Sequence, residues 1–565
     1  MSSTESRSRP CVSLLSLPTE LLVPILSSLF SLTVWSTATT SQDDAKEAHE
    51  RCNIRLVCRL LNTIIVSSVT AIHIPEPTRS TLTAPDFLSG EVRPRNLQKL
   101  RLPLSRAVSA AEVALWPCRI RSLDVTGGEA TLDPAALTTL LRRLVGLREL
   151  KIDFEAIDQG CEDAFEACGL EILTLERWKR RRRGVGVSFV AQQRAKPMAQ
   201  EEWEYFHARI PARLPMTLCR LMIEGDGGPV AEFEPGTRLP AFLTAIHLTL
   251  AVDPPFILAL PSCVHEISLS ENALGVAIMD ALAERLHAGM EVFRFRLGCL
   301  WDARIGIGSQ LLGKVVRSLP ISCVHLDIGG GCTDVRHHER DGRLPLEISL
   351  LSLPTKLETL VLGAEVFLCL DMPNPQFPST LKSIDLLSYL SRGAPEPTSR
   401  ILALLPRTLE HLGVPDLWLS PSLEDLATSL SSLRSLNVPS TSLRSAEVRT
   451  FVSSLQSLET LYIRGARYAP GRWVGGRRDG RDVDEPGIRD CMSTSDKVLA
   501  ALPPSLRTLH IGGLHSCSTH AIENARATGV NVLCARESEL YRHWFHRLRQ
   551  GRYNHLPSLV APSRE

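Results

Sequence analysis

One apolar pattern recurs along most of the chain: an aliphatic anchor, two free positions, an apolar residue, one free position and another apolar residue. It reads Leu97/Leu100/Leu102, Ile120/Leu123/Val125, Leu147/Leu150/Ile152, Leu170/Leu173/Leu175, Leu218/Leu221/Ile223, Leu243/Ile246/Leu248, Val264/Ile267/Leu269 and Met290/Phe293/Phe295. It continues as Cys323/Leu326/Ile328, Leu357/Leu360/Leu362, Leu381/Ile384/Leu386, Leu409/Leu412/Val414, Leu433/Leu436/Val438, Leu458/Leu461/Ile463 and Leu506/Leu509/Ile511. Anchor-to-anchor steps are 23, 27, 23, 48, 25, 21, 26, 33, 34, 24, 28, 24, 25 and 48 residues, so the two longest read as doubled steps or insertions. The last two apolar residues of each unit alternate with strand periodicity. A single such strand cannot bury its apolar side, so a near-constant step predicts stacking into a solenoid.

The pattern resembles the leucine-rich repeat over roughly residues 90 to 535. That family continues the motif with Asn or Cys and a further Leu, which only Val264–Leu274 supplies, through Asn272 and Leu274. The resemblance therefore implies an α/β fold, an irregular solenoid with parallel strands on a concave face and helices and loops outside. A compact α/β domain of similar composition is the alternative. In such a solenoid the free strand positions line one surface. Here they are Lys99, Arg101, Asp124, Glu149, Lys151, Arg220, His247, Glu266, Arg294, His325, Asp327, Asp385, His411, Asn437, Tyr462 and His510, the candidate target-binding set. Their mixed charges indicate neither an acidic nor a basic ligand.

Composition narrows the setting. Aromatics make up 5% of the chain, which suits stacked Leu-rich layers better than one bulky core. A net charge of +1 indicates no polyanionic partner. The 15 cysteines include no Cys-x-x-Cys pair and no Asn lies in a glycosylation sequon, which fits a reducing intracellular compartment, cytoplasmic or nuclear.

Residues 1–10 are polar and expected to be disordered. The apolar run Leu21–Trp35 is shorter than the ~20 residues a membrane span needs and contains Pro24, so neither export nor insertion is expected. Leu17, Leu21, Leu22, Ile25, Leu26 and Leu29 instead form one helical stripe, with Pro18 suited to a first turn. An N-terminal cap of the solenoid would account for such a helix. The segments LPTELLVPILSSL (Leu17–Leu29) and RLVCRLLNTII (Arg55–Ile65) together also resemble an F-box. Leu17, Pro18, Glu20, Leu21, Leu22, Ile25, Leu26 and Leu29 match its first half, and Val57, Cys58 and Arg59 its second. The halves lie farther apart than in the family, and Leu60 and Leu61 replace the usual aromatic. A longer connection costs little, since closure entropy grows only logarithmically with length. The resemblance implies the substrate-recognition subunit of an SCF-type (cullin) ubiquitin ligase, with no cofactor and no chemistry of its own. Its partners would be a Skp-type adaptor, through it a cullin/RING core, and an unidentified protein target. Leu17, Pro18, Leu21, Leu22, Ile25, Leu26, Val57 and Cys58 would carry the adaptor contact. A repeat scaffold unrelated to ubiquitin is the other reading.

The resulting organisation is a disordered start (1–10), a helical F-box-like domain (11–75, with an inserted loop about 30–53), a solenoid (76–534, with insertions about 177–215 and 466–494) and a cap helix and tail (535–565). Ile72–Arg93, rich in Pro and polar residues, reads as the link into the first repeats. The basic run Arg177–Gly184 reads as a solvated loop, because the aromatics of a nucleic-acid platform are missing apart from Trp178. Gly308–Lys314 matches part of a phosphate loop, but Val315 stands where Ser or Thr would reach magnesium. Cys332, His337 and His338 read as a solvent loop rather than a metal site. Ser442–Leu455 and Ser495–Leu502 have the spacing of outer helices, and Glu537–Leu548 that of a cap over the last strand. No nucleophile elbow or zinc-protease helix occurs, so catalysis is not expected.

Overall fold

Each repeat anchor becomes the first buried residue after a tight turn, and each turn feeds a short parallel strand. The computed structural model describes residues 71–73 and, with internal gaps, 97–177, 209–297 and 306–535. The F-box-like segments, the loop around Cys332, His337 and His338, the Asn272–Leu274 continuation and Glu537–Leu548 lie outside the described residues, as does the basic run beyond Arg177. The chain divides into two units, Met1–Cys263 and Val264–Glu565.

In the first unit the strands are β1 (Ala71–His73), β2 (Lys99–Arg101), β3 (Ser122–Asp124), β4 (Glu149–Asp153), β5 (Ile172–Arg177), β6 (Arg209–Ile210), β7 (Arg220–Gly225), β8 (Glu232–Phe233) and β9 (Ala245–Leu248). They pair in parallel in the order β1-β2-β3-β4-β5-β7-β9, while β6 and β8 pair separately. β1 is a rib that the repeat pattern did not predict, at the end of the span assigned to the helical domain. The register aligns one residue of every motif, Leu100, Leu123, Leu150, Leu173, Leu221 and Ile246.

The second unit holds β10 (Glu266–Ser270), β11 (Val292–Leu297), β12 (His325–Gly330), β13 (Leu346–Ser349), β14 (Thr359–Leu362), β15 (Val366–Cys369), β16 (Ser383–Asp385), β17 (His411–Gly413), β18 (Ser435–Pro439), β19 (Thr460–Arg464), β20 (Thr508–Gly512) and β21 (Asn531–Ala535). Its main sheet runs β10-β11-β12-β14-β16-β17-β18-β19-β20-β21, all parallel, with β13 and β15 paired apart. Ile267, Phe293, Leu326, Leu360, Ile384, Leu412, Leu436, Leu461, Leu509 and Val532 form its ladder. Both 48-residue steps are insertions: β5 pairs directly with β7, and β19 with β20. β21 escaped the sequence pattern because Gly529 takes the anchor place. It closes the helix Thr519–Ala527 at φ +87°, a conformation glycine adopts without strain.

The turns explain why proline so often precedes an anchor. The carbonyls of Pro215, Pro240, Pro320, Pro354, Pro378, Pro406 and Pro503 each accept a bond from the anchor N–H three residues on. That position needs an acceptor and no donor, so proline loses nothing there. The carbonyl just after most anchors then accepts two amides of the following rib: Glu358 O takes Lys382 N and Ser383 N, and Lys382 O takes Glu410 N and His411 N. Side chains at this same position alternate in sign through Glu358, Lys382, Glu410, Arg434, Glu459 and Arg507. Lys382 lies 3.4 Å from Glu358 and Arg434 4.0 Å from Glu410. Exposed pairs of this kind are worth about 0–1 kcal/mol each.

Helices fill many of the returns. Pro134–Arg143 starts with proline in its first turn and buries Ala136, Leu137, Leu140 and Leu141. Ala446–Ser454, inside the predicted Ser442–Leu455, buries Val448, Phe451 and Val452. Gly308–Lys314 lies within the helix Gly306–Ser318, so its amides serve the helix and not a phosphate loop. Val315 there is core, and Lys314 pairs with Asp280 at 2.7 Å. No anchor is more than 6% exposed. Leu412→Ala is therefore expected to cost about 2–5 kcal/mol in denaturant unfolding, whereas Val145→Ala, on a residue 81% exposed, should stay within about 0.5 kcal/mol.

Candidate functional site

Alternation along a strand sends the two free positions of each motif to the face opposite the aliphatic core. In the first unit this face carries charge. Lys99 and Arg101 are exposed, Asp124, Glu149 and Lys151 are half-buried, and Arg220 and His247 are buried. Arg101 Nε lies 3.2 Å from Asp124 Oδ2, while Asp124 Oδ1 accepts from the Thr126 amide and hydroxyl at 3.0 and 2.8 Å. Lys151 Nζ sits between Glu224 at 2.8 Å and Glu176 at 3.1 Å. Burial of this ammonium acts to lower its pKa, but Glu224, Glu176 and Asp124 together outweigh that and hold it above the ordinary lysine range. Glu176 and Glu224 follow the second apolar residue of their motifs. That position was not among those singled out from the sequence, although the same alternation reaches it.

The second unit differs. Glu266, Arg294, His325, Asp327, Asp385, Asn437, Tyr462 and His510 are all buried, and His411 is half-buried. An open surface would have left these side chains wetted, so the residues set apart for target binding divide into an accessible group at β2–β4 and a buried polar set at β7 and β9 of the first unit and along β10–β20 of the second. Arg294 forms an ion pair with Glu266. The rings of Tyr462 and His510 stack with centroids 4.3 Å apart and planes 8° from parallel. Asp327 Oδ1 occupies the space over Gly329, where an added Cβ would lie 2.7 Å away and would make the carboxylate shift. Asn437 is 1% exposed, next in register to Gly413, and among the described residues neither its Oδ1 nor its Nδ2 finds a partner. Ser435 Oγ, two residues earlier, is in the same condition. Buried polar groups left this way cost about 1–3 kcal/mol each.

Four of the described thiols are held in the unreactive, protonated form. Burial pushes the Cys323 thiol up to about 12 and Cys168 up to about 11, and raises Cys161 and Cys219 as well. Among the described residues no three His, Cys, Asp or Glu side chains form a metal-holding group, and no helix is long and apolar enough to cross a membrane. The adaptor-binding set Leu17, Pro18, Leu21, Leu22, Ile25, Leu26, Val57 and Cys58 lies outside the described residues.

Two outcomes follow from these environments. Glu224→Gln removes a negative charge that favours the ammonium, so the Lys151 pKa falls. Acylation of Lys151 by an N-hydroxysuccinimide ester near pH 9, read by peptide mass spectrometry, should then speed up. Below the ordinary lysine pKa of about 10.4 the stabilisation from this cluster is fully present, and it is lost as pH rises through the higher folded value. Iodoacetamide at neutral pH should modify the exposed Cys118 well before Cys168 or Cys323, as followed by intact-mass and peptide analysis.

Comparison with known proteins adds one structural likeness. No protein-family model and no curated protein matches the chain. Among 43 matching chains of solved structures is one described as the crystal structure of CroV588, a novel circular LRR protein structure. It is 12% identical, with 79% of this chain and 63% of that chain covered and a TM-score of 0.24. This chain thus spans less than two thirds of that protein, and the superposition is too loose to carry an inference. The long parallel sheets of this chain, with one buried aliphatic ladder in each unit, are themselves those expected of a leucine-rich-repeat solenoid.

Proposed function

We propose that this chain is a protein-binding scaffold that serves as the substrate-recognition subunit of an SCF-type ubiquitin ligase. The scaffold half of the reading is supported by the ladder: strand after strand in the same register, with polar side chains on the face away from the core. Such a surface holds a partner and orients it, and the bond-making belongs to the ligase core. Lys99, Arg101, Asp124 and Lys151, on the accessible part of that face, are the candidate contacts for the target. The ligase half is supported by the F-box resemblance of Leu17–Leu29 and Arg55–Ile65 alone. Leu17, Pro18, Leu21, Leu22, Ile25 and Leu26 would bury against a Skp-type adaptor, with Val57 and Cys58 packing the second helix. Each aliphatic side chain so buried is worth about 1.5–3 kcal/mol before association costs. The location implied is intracellular.

A scaffold unrelated to ubiquitin draws support from the long spacing between the two F-box-like halves and from Leu60 and Leu61 in place of the aromatic. Adaptor binding separates the two readings. Leu21→Asp combined with Ile25→Asp should abolish co-purification of the adaptor while the circular dichroism of the repeats is unchanged. An adaptor that never co-purifies with the unsubstituted chain, or that survives the double substitution, would favour the unrelated scaffold.

A further inference from the structure

Among the described residues two arginines are buried on the face away from the core, Arg294 at 8% exposed and Arg220 at 5%. Arg294 has its counter-ion in Glu266. Arg220, on β7, has none: among the described residues no carboxylate or carbonyl takes a bond from its guanidinium. The carboxylates of β5 and β7 are engaged elsewhere. Glu171, at the start of β5, pairs with Arg148 at 2.8 Å, while Glu176 and Glu224 hold Lys151 at 3.1 and 2.8 Å. The neighbours of Arg220 in register are apolar, Ile172 on β5 and Ala245 on β9. Towards β4 the first carboxylate of the row is Glu149, beyond Ile172 and two strands away, about 9.6 Å by the usual strand spacing. The Cys219 thiol feels the charge of Arg220, but burial keeps that thiol protonated, so it brings no negative charge.

A guanidinium cannot shed its proton as a buried lysine can, so burial leaves it charged. Proteins tolerate a buried charge when it is paired. Arg220 therefore holds one half of an arrangement that Arg294 has complete. The face around it is not sealed, since Ile172, Met222 and Glu224 are half-buried. Charge and shape specify the missing half. A guanidinium presents two parallel N–H groups that fit the two oxygens of a carboxylate. Its single positive charge balances one carboxylate, whereas a phosphate carries about 1.5 to 2 negative charges and would be left part-compensated. We propose that Arg220 receives one carboxylate of the target protein, from an acidic side chain or the chain end. This rests on the scaffold reading and names the chemistry that its polar face takes at β7. The adaptor is not involved, so failure here leaves the co-purification result intact.

The test uses the full chain and follows its melting temperature in sodium acetate, against sodium chloride and sodium phosphate at matched ionic strength. Acetate should raise the melting temperature saturably and by more than either other salt. Arg220→Met should abolish that difference, and without acetate it should melt above the original chain, because an unpaired buried charge is gone. Arg220→Lys keeps the charge but loses the paired donors, and should raise the half-saturating acetate concentration at least about tenfold. Glu149→Gln should leave the response in place. Acetyl-Gly-Glu-Gly-amide and acetyl-Gly-Gln-Gly with a free C-terminus, each compared with acetyl-Gly-Gln-Gly-amide, then show whether a side chain or a chain end supplies the carboxylate. The proposal is overturned if acetate does no more than chloride, if phosphate outdoes it, if Arg220→Met responds as the original chain does, or if that variant melts lower without acetate.

Discussion

The structure depends on one shared acceptor. At the start of most ribs a single carbonyl takes two amide protons from the next rib, which fixes the register of the neighbours through the backbone. In parallel pairing a one-residue slip would send every aliphatic side chain to the wrong face. The bifurcated carbonyl and the buried anchor therefore act together, one on the backbone and one in the core. Because each rib is satisfied by its neighbours alone, excursions between ribs are tolerated as long as the next anchor returns to its turn. The separate β6/β8 and β13/β15 pairs are such excursions, built beside the main sheets without interrupting them.

The face opposite the core inherits its order from this register. In the first unit the alignment brings Lys151 to the carboxylates of Glu176 and Glu224 and leaves Lys99 and Arg101 in solvent. In the second unit equivalent positions hold Glu266 against Arg294, stack Tyr462 on His510 and leave Asn437 beside a glycine. Among the described residues the Asn437 carboxamide has no partner, an arrangement that costs stability. The same row position is thus open to solvent at β2–β4 and holds buried polar side chains at β7, at β9 and along most of the second unit.

Much of the fold was legible because its signal is periodic. Fifteen anchors were readable, and each is core; the two long steps were flagged, and each is an insertion. What escaped notice lacked the pattern: β1 stands ahead of a Pro-rich link, and β21 begins after Gly529, which has no side chain to register in an apolar motif. The candidate surface was legible as a set of positions but not as an environment. Alternation tells which side of the sheet Asp385 or His510 takes, yet burial depends on what its neighbours fill.

By itself the sequence determined the repeat, the positions of the fifteen strands that carry it, the parallel α/β architecture and the side of the sheet each of their residues faces. These are local properties, set by side-chain periodicity of two and by turns a few residues long. Tertiary structure alone decided which polar positions stay wet, which carboxylates surround Lys151 and which exposed side chains line up across ribs. Those depend on residues roughly 20 to 50 positions apart being set on neighbouring strands about 4.8 Å apart, a distance that only pairing creates.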